Sequence, residues 1–321
     1  MKIVHWTLKN GSGLHRTAEG ISKAEQALGL DSITIDTMIA TGWEKGVDAD
    51  IHCVHSHLPD VVSIKKAKIV HFIHGTPEHA FKSSVEQGLS GVYAPSDSWM
   101  IGQYWLQHAD ISITFWPRHQ AIWQSLCDKK TIVHYLPMGI DKSFWKPVES
   151  RGKFAGEPSL FTAENCHDIK WPLDLFMAWE WITDKIPKTR LHAHYLPRDQ
   201  WRWWFPLVNR NGAAFKSFIS GGVFNDIDLR NCFNSIDYYI GLVRYGDHNR
   251  ICLEAKSSGT KLISFCGNKY ADYWVHEGDQ RNIADEIIRI LKGEIMPRET
   301  DNVVDICETV KELKEIYEKI I

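Results

Sequence analysis

The chain lacks several features, and each absence removes a class of function. No two of its seven cysteines, Cys53, Cys127, Cys166, Cys232, Cys252, Cys266 and Cys307, are spaced C-x-x-C, and their number is odd. That argues against a zinc or disulfide framework; cysteines set in apolar runs read as core thiols in a reducing compartment. The start, Met1-Lys2-Ile3-Val4-His5-Trp6, passes straight into a strand and lacks a signal-peptide core. No apolar run approaches membrane-spanning length, so no transmembrane segment is expected and the cytoplasm is the expected location. Low-complexity tracts are missing too. So is any excess of one charge: residues 1–150 hold 14 Lys/Arg against 15 Asp/Glu, and residues 151–321 hold 23 against 25. A net charge of −3 gives no general pull toward nucleic acid or an anionic membrane.

What is present is a repeated alternation of strand and helix patterns. Residues 3–6 and 32–36 read as strands, and the helix between them places Ala18, Ile21, Ala24 and Leu28 on one face before Gly29. Further strands are expected at 50–55, 68–73, 91–96, 109–115 and 131–135. A second set follows at 159–163, 190–195, 215–219, 238–243 and 261–265, with an amphipathic helix over 172–186. The stretch from Phe144 to Pro158 is rich in proline, glycine and charge. The expected division is a first domain over 1–147, a linker over 148–158, a second domain over 159–300 and a C-terminal helix over 301–321. The expected fold class is α/β, with two Rossmann-like domains facing across a cleft that holds the ligand.

The stretch from Arg244 to Ser264 organises the second half. It reads as a strand end, a polar loop, a short helix over 250–257 stopped by Gly259, and another strand. A helix that starts at the carboxyl end of a parallel strand offers free N–H groups and the positive end of its dipole to an anion. Glu254, one turn in, is either a surface residue of that helix or a carboxylate placed for sugar or ribose hydroxyls.

In the first half, Asn10-Gly11-Ser12-Gly13-Leu14-His15-Arg16 is a glycine turn with three readings. It is a plain tight turn, a dinucleotide loop with Asp36 on the ribose, or a loop whose amides meet a diphosphate beside Arg16. Arg16 stands where the dinucleotide fingerprint has its third glycine. Of the 16 histidines, 11 precede residue 150, and none has zincin spacing. His52, His55 and His71 read as hydrogen-bonded strand residues. His74 sits at a strand's carboxyl end, where active sites collect. Asp48-Ala49-Asp50 and Asp226-Ile227-Asp228 spell D-x-D without the context of a metal site. Trp116-Pro117-Arg118-His119 and residues 197–204 alternate Trp with Arg, which is either a packed cluster or a stacking surface.

With these motifs in view, nearly the whole chain resembles the retaining glycosyltransferases of family 4, which have the GT-B fold. Gly11-Ser12-Gly13 resembles that family's N-terminal glycine loop, and His74-Gly75-Thr76 its strand-end histidine near the donor sugar. Pro137-Met138-Gly139-Ile140-Asp141, followed by Phe144 and Pro147, is similar to P-N-G-V-D…F-x-P. Residues 163–171 occupy the place of the G-R-L…K-G phosphate loop, and Glu254-Ala255-Lys256-Ser257-Ser258-Gly259-Thr260 resembles E-A-x-A-x-G-x-P. Two departures stand out. Glu164 replaces the family's phosphate-binding Arg, and Gly246 replaces the first Glu of Glu-x7-Glu, with Asp247 one residue later.

The resemblance implies transfer of a hexosyl or pentosyl group from a nucleotide-diphosphate sugar to a hydroxyl, with retention and without a metal or other cofactor. Lys170 and one of Arg16, Arg244 or Arg250 would hold the diphosphate. Glu254 would take the ribose, and Asp247 and His74 the transferred sugar. The donor-binding set implied is Gly11, Ser12, Gly13, Arg16, Glu164, Arg244, Gly246, His248, Asn249 and Arg250. A glycan, a small molecule or a hydroxymethylated DNA base all fit as acceptor, although net charge does not favour DNA. The alternatives are a GT-B homologue that binds nucleotide or glycan without turnover, and a nicotinamide-dependent oxidoreductase.

Overall fold

Along the first strand Val4 and Trp6 alternate with His5 and Thr7. This period of two sends an apolar pair to one face of the sheet and a polar pair to the other. Both faces are buried, as a parallel sheet between helices requires. The computed structural model describes residues 1–8, 13–37, 47–55, 67–75, 106–127, 130–149, 152–163, 173–193, 218–220, 224–243 and 248–321. They divide into two compact units: Met1–Asp141 together with Val304–Ile321, and Lys142–Val303.

The first unit contains β1 (Lys2–Thr7), α1 (Gly13–Ala27), β2 (Asp31–Asp36), β3 (Ile51–Val54), β4 (Lys68–Ile73), β5 (Ile111–Thr114), α2 (Pro117–Leu126) and β6 (Ile132–Tyr135). Its six strands are parallel in the order β2-β1-β3-β4-β5-β6. The second unit contains β7 (Ser159–Thr162), α3 (Leu173–Lys185), β8 (Arg190–Ala193), β9 (Phe218–Ser220), α4 (Asp226–Phe233), β10 (Tyr238–Gly241), α5 (Arg250–Ser257), β11 (Lys261–Phe265), β12 (Tyr273–Val275) and α6 (Gln280–Leu291). Its strands are also parallel, in the order β12-β11-β10-β7-β8-β9. Numbered from β7, that is the 3-2-1-4-5-6 order of the Rossmann fold. Leu160, Trp179, Ile182, Leu191, Ile240, Ile263, Ile283 and Ile287 form its core, where α3 and α6 cover one face of the sheet. The strand expected at 91–96 lies outside the described residues, as does most of that expected at 215–219.

The final helix, α7 (Ile306–Ile320), returns to the first unit and packs on α1. The segment 137–140 receives it. Ile306 N–H donates to Ile140 O at 2.9 Å, Ile140 N–H to Val304 O at 3.2 Å, and Thr309 Oγ1 to Pro137 O at 3.0 Å. A Cβ on Gly139 would run into Thr309 Oγ1 and would lie 2.6 Å from Ile306 Cα, so only glycine permits this approach. Residues 142–147, expected in the first domain, and the start of the expected linker group with the second unit. Trp145 is buried, Ser257 Oγ donates to its carbonyl at 2.5 Å, and Val148 N–H donates to Asn234 Oδ1 at 2.8 Å. Among the described residues, no helix is long and apolar enough to cross a membrane.

Candidate functional site

In the second unit, β7 and β10 are neighbours, and the chain leaves them toward opposite sides of the sheet. This is a topological switch point, and the loops leaving its carboxyl end form the crevice where ligands of such sheets bind. Ala163, Leu242, Val243, His248 and Asn249 are the described residues there; the remainder of the segments 163–172 and 242–249 that the sequence reading singled out lies outside the described residues. Glu164, Lys170, Arg244, Gly246 and Asp247 lie outside the described residues.

The helix after β10 spans the expected residues. Asn249 is its N-cap, in extended conformation, with Oδ1 accepting from Cys252 N–H at 3.0 Å. Gly259, at φ +88°, ends it in the left-handed region that glycine adopts without strain. Cys252, Leu253 and Ala255 are buried. Glu254 is buried as well, so the surface reading of this residue is wrong. Its Oε1 meets Arg250 Nε at 2.8 Å, with side-chain exposures of 0% and 12%. Arg250 is therefore bonded to the carboxylate one turn below it. His248 is buried edge-on to Tyr270, ring centroids 4.8 Å apart. Burial, with Lys269 adding to it, pushes its pKa down to about 3, so it carries no charge toward a phosphate at neutral pH.

In the first unit, α1 starts beyond the carboxyl end of β1, and Gly13 is its exposed first residue. A Cβ on Gly13 would have nothing within 4 Å, and Arg16 is half-buried in the same turn. Gly11 and Ser12 lie outside the described residues. Gly13→Ala is thus expected to leave the melting temperature unchanged or slightly raised, since alanine is the better helix former. If the turn closes on a diphosphate, the same variant lowers nucleotide affinity; calorimetry beside thermal melting reads both.

His74 follows β4 and is half-buried; its Nε2 lies 2.8 Å from His55 Nδ1. His55 Nε2 lies 2.9 Å from His5 Nδ1, and His5 Nε2 lies 2.8 Å from Glu25 Oε2. Glu25 is fully buried and also accepts from Ser32 Oγ at 2.5 Å and from Tyr317 Oη at 2.9 Å. The sequence reading missed Glu25 and treated His5 as part of a strand. The available signal was spacing: Glu25 falls in line with Ala18, Ile21 and Leu28 on the apolar face of α1, where an acidic residue requires a buried partner.

The other histidines of the sheet behave as the strand reading expects. His52 Nδ1 accepts from Trp6 Nε1–H at 2.9 Å, and burial lowers its pKa to about 4 against the opposing pull of Asp48. His71 Nδ1 lies 3.3 Å from Ser112 Oγ, and burial lowers its pKa to about 3. Asp50 Oδ2 of the first D-x-D accepts from Lys2 N–H at 2.7 Å, and Asp226 and Asp228 of the second lie in the first turn of α4, where Asp228 N–H donates to the Asn225 cap at 2.9 Å. Trp116 is buried at the start of α2, so it belongs to packing and not to a stacking platform. Residues 197–204 lie outside the described residues.

A concavity of about 970 Å³ in the second unit is lined by Lys153, Glu157, Pro158, Asp237, Gly259 and Lys261, among others. These residues precede β7, β10 and β11 or, for Lys261, open the strand, so it lies at the amino edge of the sheet, opposite the switch point. The position of ligand sites in open α/β sheets, and not the volume, decides between the two, and it favours the carboxyl edge.

No protein-family model matches the chain, and no curated protein matches it. Solved structures do. Sucrose-phosphate synthase from Thermosynechococcus elongatus superposes with a TM-score of 0.75 at 11% identity, covering 100% of this chain and 99% of that one. HepE from Anabaena, in complex with UDP-glucose, gives 0.66 at 12%, covering 100% of both chains. WaaG, a glycosyltransferase involved in lipopolysaccharide biosynthesis, gives 0.66 at 12%, covering 99% of this chain and 98% of that one. At such identities the likeness speaks for architecture, and the chain has the two-Rossmann-domain fold of the GT-B glycosyltransferases.

Proposed function

We propose that the protein is a retaining glycosyltransferase that moves a hexosyl or pentosyl group from a nucleotide-diphosphate donor to a hydroxyl acceptor. The observation that carries this reading is the amino end of α5. Capped by Asn249 and backed by the buried Arg250–Glu254 pair, it starts at the carboxyl end of β10 beside the β7/β10 switch point. As the glycosidic bond breaks, negative charge develops on the leaving diphosphate. Helix N–H groups and the Lys170 ammonium stabilise it there without a metal. Glu254 takes the ribose hydroxyls, and Asp247 and His74 orient the sugar. The Gly11–Gly13 turn supplies amides to the diphosphate. Bound UDP-glucose in the HepE structure makes uridine nucleotides the first donors to try.

Calorimetry with uridine, guanosine, adenosine, cytidine and thymidine diphosphates, their glucose conjugates and the nicotinamide cofactors tests the reading. One nucleoside diphosphate is expected to bind; binding of a nicotinamide cofactor alone would overturn the assignment. Lys170→Ala is expected to slow transfer about 10- to 150-fold, the worth of one hydrogen bond to a charged group, at an unchanged melting temperature. An unaltered rate removes Lys170 from the mechanism. The substitutions at Glu164 and Gly246 favour a second reading, a nucleotide-binding homologue without turnover. It predicts the same calorimetric result and no product with any acceptor.

A further inference from the structure

The sheet of the first unit ends at β6, with no further strand beside it among the described residues. The outward backbone groups of that strand are nonetheless bonded, to side chains of α2. Val133 N–H donates to Gln124 Oε1 at 2.7 Å, Gln124 Nε2 donates to Thr131 O at 2.9 Å, and Gln120 Nε2 donates to Val133 O at 2.8 Å. We propose that the Gln120 and Gln124 amides stand in for a seventh strand and close β6 against pairing with the β6 of a second copy of this chain. This seal is independent of the reaction proposed above.

Leu136 N–H donates to Thr114 O on β5. Backbone groups along a strand point alternately to its two sides, so Thr131 and Val133 turn theirs away from β5. One residue of an added parallel strand would donate to Thr131 O and accept from Val133 N–H. Gln124 carries the same donor and acceptor in one side-chain amide and makes the same two bonds. Spacing keeps both glutamines in step with the strand. Residues four apart on a helix are separated by about 6 Å along its axis, and residues two apart on a strand by about 6.6 Å. The helix runs back along β6, so Gln120 meets Val133 and Gln124 meets Thr131. Trp123 and Val133, buried in one cluster with Leu106 and Ile73, hold it in that place.

The strand needs such a cover. It reads Ile132-Val133-His134-Tyr135, without the lysine or proline that commonly protects an edge. Ile132 is 54% exposed, and Ile122 and Leu126 of α2 are exposed as well. Once opened, an edge of this kind is a template for another strand. Every copy of the chain carries the same one, and two of them can pair antiparallel about a two-fold axis.

Hydrogen exchange on the full chain, read by NMR, tests the seal first. In the wild type Val133 N–H is expected to be as protected as Leu136 N–H, whose acceptor is backbone. Exchange at the rate of an unbonded amide overturns the proposal, and this result needs no variant. Gln120→Ala with Gln124→Ala keeps a strong helix former at both positions and removes both amides. In dilute solution Val133 N–H should then exchange about tenfold faster, the worth of one hydrogen bond. In concentrated solution the same variant should sediment at twice the wild-type mass. A mass equal to wild type at every concentration shows that the glutamines seal nothing. Adding Ile132→Lys, a charge on the edge, should restore the wild-type mass. Association that survives the lysine lies on another surface and overturns the assignment to β6.

Discussion

Glu254→Ala is expected to destabilise the second unit by about 3–5 kcal/mol, the range for removing one partner of a buried ion pair. Both members are enclosed: the Glu254 side chain is 0% exposed and that of Arg250 12%. Truncation leaves a guanidinium with little water and without the Glu254 carboxylate, and it opens a gap beneath the helix that caps the proposed donor site. Loss of nucleotide binding in this variant would therefore mix a folding defect with a lost contact. Glu254→Gln separates them, because the amide keeps the volume and an oxygen acceptor for Arg250 while losing the charge. Replacing both partners, as Arg250→Met with Glu254→Leu, should recover most of the stability and none of the ribose binding. Urea unfolding of the four proteins decides the matter. A Glu254→Ala midpoint equal to wild type would show that the pair contributes nothing to the fold.

Gly139→Val is expected to cost about 3 kcal/mol, the upper part of the usual range for overpacking. The atoms a side chain would meet are mostly backbone, with Ile306 Cα at 2.6 Å and Asp305 O at 3.0 Å, and backbone cannot swing aside as a flexible side chain does. The first turn of α7 must lift. That loosens the Thr309–Pro137 and Ile306–Ile140 hydrogen bonds and draws Tyr317 away from Glu25. Denaturant unfolding measures the loss, and hydrogen exchange at the amides of α7 locates it. Wild-type protection of those amides would mean that α7 does not depend on this contact.

The two predictions also mark what could be read in the sequence. The helix at 250–257, its asparagine cap and its glycine stop were legible because each is a local pattern with a local cause. The alternation of strands and helices, and hence the fold class, was legible for the same reason. The role of Gly139 was not: a glycine in a motif shows no helix waiting some 170 residues downstream. Nor was the burial of Glu254, since a carboxylate on a helix is an ordinary surface residue until Arg250 is seen against it. The histidine row was hidden for a related reason. His5 lies on β1, while His55 and His74 directly follow β3 and β4, and only the parallel register that sets His5 opposite Cys53 brings their rings together. Glu25 alone had a signal in one dimension, as a charge on an apolar stripe.

The return of α7 to the first unit also bears on the order in which the molecule can be made. Tyr317 reaches Glu25 across 292 residues of chain, and residues 142–303 leave the ribosome before α7 does. The second unit can close its sheet while synthesis continues. The first can pair its six strands but cannot complete its packing: until α7 arrives, Glu25 lacks the Tyr317 hydroxyl, Cys53 lacks its 3.1 Å neighbour, and one side of α1 lacks its covering helix. The first unit is therefore finished after the second although its strands are made first, and the Tyr317–Glu25 hydrogen bond is among the last contacts to form.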